Sequence, residues 1–125
     1  MMPAAPSQTS GSDLVRARQR VEPCSSAQMP VTLSSVRVAE MAKALGHPAR
    51  VKIVRMLAQD GPQLAGDITA ALGLAQSTVS AHLRVLRTAG AVISRREGSR
   101  TRYRVSNEAL CALAWAIAEL ASAPS

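Results

Sequence analysis

The chain has 125 residues, of which 47% are hydrophobic, and a formal net charge of +7, yet it contains one Trp, one Tyr and no Phe. This length accommodates one domain and a tail, and the shortage of aromatic rings excludes base stacking as the main mode of nucleic-acid binding. No apolar run is long enough to cross a bilayer, no secretory leader is visible, and two cysteines are too few for a secreted disulfide framework. We therefore expect a soluble cytoplasmic protein without a membrane segment.

Residues 1–33 are predicted to be a disordered tail, because they are rich in Pro, Ser and Gln and offer little apolar surface to offset the entropy lost on folding. From Ser34 the apolar residues recur with the 3.6-residue period of a helix. We place a folded domain over 34–121 and a short C-terminal tail over 122–125.

Four helices are predicted in the first part of this domain. Ser34 or Ser35 is suited to cap the first helix. Pro48 fits the first turn of the second, which is nearly all apolar and is expected to be the central buried helix. Asp60-Gly61-Pro62 ends that helix, and Gly73 supplies the turn between the third and the fourth. The predicted spans are 36–45, 48–59, 65–72 and 76–88.

A two-stranded hairpin and a last helix complete the domain. One strand begins at Val92, Glu97-Gly98-Ser99-Arg100 forms the tip, and the chain returns over Thr101–Val105. The last helix, 107–120, is apolar nearly all round, so a second surface is needed to cover it. We expect a homodimer with the first and last helices at the interface; the alternative is a helix folded back onto its own domain.

Almost all of the excess positive charge lies in residues 76–104, which contain seven arginines and one acidic residue, Glu97. Such a surface favours a polyanion, because arginines that neutralise phosphates release condensed counterions. A short helix, a tight turn, a second helix and a basic hairpin are together typical of a winged helix-turn-helix that binds double-stranded DNA. The predicted fold is therefore mostly α with a small β-hairpin.

Helix 76–88 is the predicted DNA-reading element. At 100° per residue, Ser77, Ser80 and Arg84 lie opposite the apolar face. Small side chains let a helix enter a major groove about 12 Å wide, where an arginine contacts guanine or a phosphate. Arg100, at the hairpin tip, is expected to enter the adjacent minor groove. The candidate DNA-binding residues are Gln76, Ser77, Thr78, Ser80, Ala81, His82, Arg84, Arg87, Arg95, Arg96, Arg100 and Arg102.

His82 and the hairpin arginines leave alternatives open. His82 lies near the apolar border of its helix, so a packed, hydrogen-bonded neutral histidine fits its position as well as a base-reading one. The four hairpin arginines of the candidate set alternate along their strands, so not all of them face DNA.

Three stretches together resemble the ArsR/SmtB family of winged-helix repressors. They are ALGHPAR at 44–50, LGLAQSTVSAHLRVL at 72–86, and RREG at 95–98 with Tyr103. The resemblance covers roughly residues 36–120. It implies a dimer that binds an inverted-repeat operator near its own promoter and is released when an inducer binds. It also implies that 76–88 is the recognition helix and 91–105 the wing.

The metal sites known in that family are missing from this sequence. Leu64, Ala65 and Gly66 occupy the positions of the Cys-Val-Cys of arsenic and lead sensors. The last helix has no His and the recognition helix has no Cys, although soft and borderline metals need several such ligands at once. We therefore expect no metal site and no cofactor, and the inducer is unknown.

Cys24 and Cys111 remain as candidate sensor residues. Cys111 lies near the start of the last helix, where the resemblance implies that thiol-sensing members keep a cysteine. A disulfide formed on oxidation, within or across subunits, would hold the dimer in a weakly binding shape. The alternatives are that Cys111 packs as a small apolar residue, or that the two thiols hold arsenite.

The function that the sequence favours is a sequence-specific, dimeric repressor of its own operon. The alternative, from a different class, is a winged-helix module whose basic hairpin docks an acidic protein. An enzyme is not expected, because His47 and His82 fall on separate elements and neither a carboxylate pair nor a phosphate-binding loop is present.

Overall fold

The computed structural model describes Cys24 and residues 32–122. Over these residues, the chain forms five helices and a small sheet. The helices are α1 (Ser35–Ala44), α2 (Pro48–Asp60), α3 (Ala65–Leu72), α4 (Gln76–Ala89) and α5 (Asn107–Ala121), and the strands are β1 (Gln63–Leu64), β2 (Val92–Glu97) and β3 (Arg100–Val105). The predicted disordered tail lies outside the described residues except for Cys24, Thr32 and Leu33, and so do residues 123–125.

Side-chain caps fix the starts of three helices. Ser34 caps α1, His47 caps α2 and Ser106 caps α5, each by accepting a backbone N–H of the first turn at 3.1–3.2 Å. These bonds satisfy donors that a helix leaves without an internal partner at its N-terminus. Of the two serines predicted as candidates for the first cap, the structure uses Ser34.

One apolar core joins the helices to the sheet. The largest fully buried side chains come from α1, α2, α3, α4 and β2. They are Met41, Ile53, Leu57, Ile68, Val79, Leu83, Leu86 and Val92. Because the buried set contains no aromatic residue, the core consists of aliphatic side chains and methionine, as the composition predicts.

The expectation that α2 is the central buried helix is wrong in degree. Ile53 and Leu57 are fully buried, but Val51, Val54 and Met56 are only half-buried. The charged residues interspersed among them keep one side of the helix in water, so α2 is amphipathic.

The sheet has three strands where the sequence predicts two. Its order is β1-β3-β2, and both pairings are antiparallel. Gln63 pairs with Tyr103 and Leu64 with Arg102. A two-residue strand has no periodicity of its own, which is why the sequence pattern did not reveal β1.

The last helix is buried along its first half only. Cys111, Ala112 and Leu113 are buried, whereas Ile117 is 49% and Leu120 72% exposed. Helix α5 also packs against α1, on which Val36 is 66% exposed. One chain therefore leaves an apolar surface on its first and last helices. Within the described residues, no helix has the length and hydropathy needed to cross a bilayer.

Candidate nucleic-acid interface

Helices α3 and α4 form the helix-turn-helix, and Gly73 is the residue that turns the chain between them. Its φ is +66°, in the left-handed region where glycine meets no Cβ penalty. After this turn, α4 buries one apolar face, on which Val79, Leu83 and Leu86 are at most 1% exposed. The apolar face predicted for this helix is thus confirmed, and the opposite face is directed to solvent.

The exposed face of α4 carries the residues that the helical periodicity predicts. Ser77, Ala81, Arg84 and Thr88 follow one another at spacings of three and four residues and are all exposed. Thr88 is not among the candidates predicted from the sequence, although its spacing from Arg84 was enough to find it. The other exposed candidates on this helix are Gln76, Thr78, Ser80 and Arg87.

Arg37 on α1 fixes the C-terminal end of α4. Its Nη2 donates to the carbonyl oxygen of Ala89 at 2.9 Å, and its Nη1 pairs with Glu40 at 3.0 Å. A cation at this position also meets the negative end of the helix dipole. Gly90, which ends α4 with a φ of +89°, leaves room for this guanidinium, because a Cβ there would lie 3.2 Å from Nη2.

His82 is held in a cluster with His47 and Arg50 that the sequence pattern does not predict. The rings of His47 and His82 lie 4.6 Å apart between centroids, and Arg50 Nε donates to Nδ1 of His82 at 3.3 Å. The two histidines do fall on separate elements, as predicted, but the fold brings those elements together. Burial, His47 and Arg50 all lower the pKa of His82 from its ordinary value of 6.5. This environment matches the packed, neutral histidine of the two alternatives.

The strand register decides which hairpin arginines share a face. The cross-strand pairs are Arg95 with Arg102, Glu97 with Arg100, Ile93 with Arg104, and Arg96 with Thr101. Directly paired residues lie on the same side of a sheet, and neighbours along a strand lie on opposite sides. Arg95, Arg100 and Arg102 therefore share one face and Arg96 lies on the other, while Arg104, which the sequence analysis did not select, joins the first group.

A cleft of about 430 Å³ places the hairpin tip beside the start of α4. Gln76 lines it from the first turn of α4, and Ser99, Arg100 and Thr101 line it from the tip. Leu64 of β1 and the first residues of α3, which include the carboxylate of Asp67, form its remaining wall. The exposed face of α4 and the basic tip thus belong to one continuous surface, with hydroxyl, amide and guanidinium groups that suit a phosphate-rich groove.

The two cysteines form a disulfide within one chain, between Cys24 and Cys111. Trp115, one turn along α5, donates its Nε1 hydrogen to the carbonyl oxygen of Cys24 at 3.1 Å. Residue 24 is thereby fixed to the helix that carries the exposed apolar surface. Among the described residues, no three His, Cys, Asp or Glu side chains are grouped as a metal site requires.

Comparison with known proteins agrees with this geometry. Residues 47–94 match the family of bacterial regulatory proteins described as the arsR family. The chain is 36% identical to the HTH-type transcriptional regulator YgaV of Escherichia coli over 80 residues, which cover 64% of this chain and 81% of that protein. It is 35% identical to the biofilm growth-associated repressor of Agrobacterium fabrum, over 82% of this chain and 90% of the repressor.

A solved structure shows the same fold. The homodimeric winged helix-turn-helix DNA-binding domain of a possible ArsR-family regulator from Mycobacterium bovis, determined by solution NMR, aligns with a TM-score of 0.57 and 35% identity. The alignment covers 70% of this chain and 83% of that domain. With its helix-turn-helix, basic hairpin and these relatives, the chain belongs to the ArsR family of transcriptional regulators and has their winged helix-turn-helix fold.

Proposed function

We propose that this protein is a dimeric repressor that binds an inverted-repeat operator near its own promoter, in the cytoplasm. The observation that carries the proposal is the continuous surface formed by the exposed face of α4 and the arginine-bearing tip of the wing. In this arrangement α4 enters the major groove, Arg84 reads a base edge or holds a phosphate, and Arg100 enters the neighbouring minor groove. The role is binding rather than catalysis.

The exposed apolar surface of α1 and α5 supports the dimer. Val36, Ile117 and Leu120 are large apolar side chains left in water by the single chain, and burying such groups against a second copy is favourable. The similar domain from M. bovis is homodimeric. Two-fold symmetry then places the two α4 helices about one turn of DNA apart, which requires an inverted repeat.

Replacement of Arg84 tests whether the exposed face of α4 recognises the operator sequence. Duplexes selected from a randomised library by the wild-type protein provide the operator sequence, and affinity is then measured for that duplex and for a scrambled one. We expect Arg84→Ala to weaken operator binding by about 1–3 kcal/mol while changing binding to the scrambled duplex much less. Arg55→Ala, which removes the same charge from the exposed part of α2, is the control. Equal losses on both duplexes would contradict the assignment of α4 as the reading helix.

We further propose that the Cys24–Cys111 disulfide is the signal-responsive element. The bond joins the segment before α1 to the buried half of α5, whose other half is assigned to the dimer interface. An oxidant such as hydrogen peroxide takes two electrons and two protons from the thiols and is reduced to water as the disulfide forms. Disulfides in the cytoplasm are usually transient and catalytic or redox-sensing. We assign the derepressed, weakly binding state to the oxidised form.

Operator binding by reduced and oxidised protein tests this role. We expect oxidation to weaken binding, reduction to restore it, and both Cys24→Ser and Cys111→Ser to remain in the tightly binding state. Arsenite added to the reduced protein distinguishes the metalloid alternative. Indifference of the wild-type protein to oxidation would remove the thiol switch and leave the DNA-binding proposal unaffected.

A further inference from the structure

Two residues of α5, Cys111 and Trp115, hold residue 24. Trp115 Nε1 donates to the carbonyl oxygen of Cys24 at 3.1 Å, and Cys111 holds the side chain of the same residue through the disulfide. Residues four apart lie on one side of a helix, so both contacts come from the same side of α5. Residue 24 is therefore attached to α5 twice, once covalently and once by a hydrogen bond.

The hydrogen bond uses a main-chain acceptor, so it does not require the disulfide. The carbonyl oxygen of Cys24 is present whether the thiol is reduced, oxidised or replaced by another side chain. The indole N–H of Trp115 is a donor in all of these states. The contact is thus able to form before the sulfur atoms bond, at a position of residue 24 that also brings its thiol to Cys111.

The two thiols need such a contact because nothing in the local sequence keeps them together. They are 87 residues apart in the chain. Cys111 is buried on α5, whereas Cys24 lies before the first helix, so the thiols meet only when residue 24 comes to α5. A contact that places one reacting group beside the other raises its effective concentration and favours the reaction between them.

We propose that Trp115 is the positioning residue of the thiol switch: its indole N–H binds the carbonyl oxygen of residue 24 and thereby places the Cys24 thiol at Cys111. The inference rests on the proposed response to oxidation and names the residue that favours the disulfide-bonded form. One hydrogen bond returns no more free energy than the ordering of one or two backbone residues costs. The contact therefore does not hold residue 24 on α5 by itself, and its contribution goes to the equilibrium of disulfide formation.

Equilibration in glutathione buffers of known composition measures that contribution. Oxidised glutathione takes two electrons and two protons as the disulfide forms, and it leaves as two molecules of reduced glutathione. The wild-type protein is compared with Trp115→Phe, which keeps an aromatic ring and loses the N–H. We expect Trp115→Phe to lower the equilibrium constant about fivefold, as the loss of one hydrogen bond does, which raises the reduction potential by about 20 mV.

Two further variants separate the N–H from packing. Trp115→His carries a ring N–H at the same number of bonds from Cα, so at about pH 8, where the imidazole is neutral, it should recover most of the wild-type equilibrium constant. Leu113→Val shortens a buried side chain on another side of α5. It should lower Tm of the reduced and oxidised forms alike and leave the disulfide equilibrium unchanged. Thermal unfolding shows that each variant is folded.

An equilibrium constant of Trp115→Phe equal to that of the wild type would overturn the inference. Losses in Leu113→Val or Trp115→His as large as in Trp115→Phe would also overturn it, because packing rather than the N–H would then be responsible. Operator binding separates the inference from the proposed function. If the disulfide forms with the expected dependence on Trp115 and the affinity for DNA does not change, the signalling role fails while the positioning role stands. A wild-type protein that forms no disulfide in any buffer would contradict both.

Discussion

Two arginine side chains determine how α4 is held. Arg37 bonds the carbonyl oxygen of Ala89 near the end of the helix, 52 residues away in the chain, and Arg50 bonds His82 in its middle, 32 residues away. Arg50 Nη1 also contacts the carbonyl oxygens at the end of α1, at 3.4 Å. Helix α4 is therefore held by two arginines that belong to α1 and α2.

Protonation of His82 should destabilise this arrangement. The lowered pKa means that the folded protein resists taking up a proton that the unfolded chain accepts. Stability is therefore expected to be lost as pH falls below the ordinary value of 6.5, because the unfolded state then binds more protons than the native state. Above that pH this group contributes no pH dependence.

Thermal unfolding between pH 7.5 and 5.5 measures this effect. We expect Tm of the wild-type protein to fall over this range, and to fall less in His82→Gln, whose amide oxygen can still accept from Arg50 but does not titrate. The same slope in both proteins would show that the proton is taken up elsewhere.

At the scale of elements, local sequence signals were enough to predict the helices. Part of the sheet could not be predicted, because it depends on pairing between distant segments. Helix ends were found within one or two residues because caps and glycines mark them in the sequence. Strand β1 forms because it pairs with β3, and neither Gln63 nor Leu64 has a sequence feature that predicts this pairing. The hairpin itself was predicted, but its register was not, so the placement of Arg104 beside Arg95 and Arg102 required the structure.

The candidate nucleic-acid interface likewise has one part that local sequence patterns predict and one part that depends on tertiary packing. The exposed face of α4 could be predicted from periodicity alone, since a helix presents residues at spacings of three and four on one side. The contacts of Arg37 and Arg50, and the meeting of His47 with His82, depend on how α1, α2 and α4 pack. Such contacts join residues far apart in the chain and leave no pattern in it.

The exposed half of α5 gives a prediction for this element. Ile117→Asp places a charge in the proposed dimer interface, where it would be buried without a partner, so we expect a monomer that binds the operator at least tenfold more weakly. Light scattering measures the mass in solution, and Ala58→Asp on the exposed side of α2 is the control. A dimeric Ile117→Asp protein with normal affinity would place the interface elsewhere.

At the scale of the whole molecule, three features act together. The charge is concentrated on the wing and the reading helix, the exposed apolar surface lies on the first and last helices, and a disulfide links residue 24 to the last helix. The proposed roles, which are DNA binding, dimerisation and response to oxidation, thus fall on different parts of one small domain. Helix α5 connects them, because it carries both Cys111 and the exposed apolar residues.

The most direct test of the DNA-binding assignment compares two affinities of the reduced protein near 0.15 M salt. One is for its selected palindromic duplex, and the other is for a scrambled duplex of the same composition. We predict a ratio of at least about a thousandfold, as sequence-specific regulators show over non-specific DNA. Equal affinity for the two duplexes would contradict the account, because a basic surface without a reading helix binds every duplex alike.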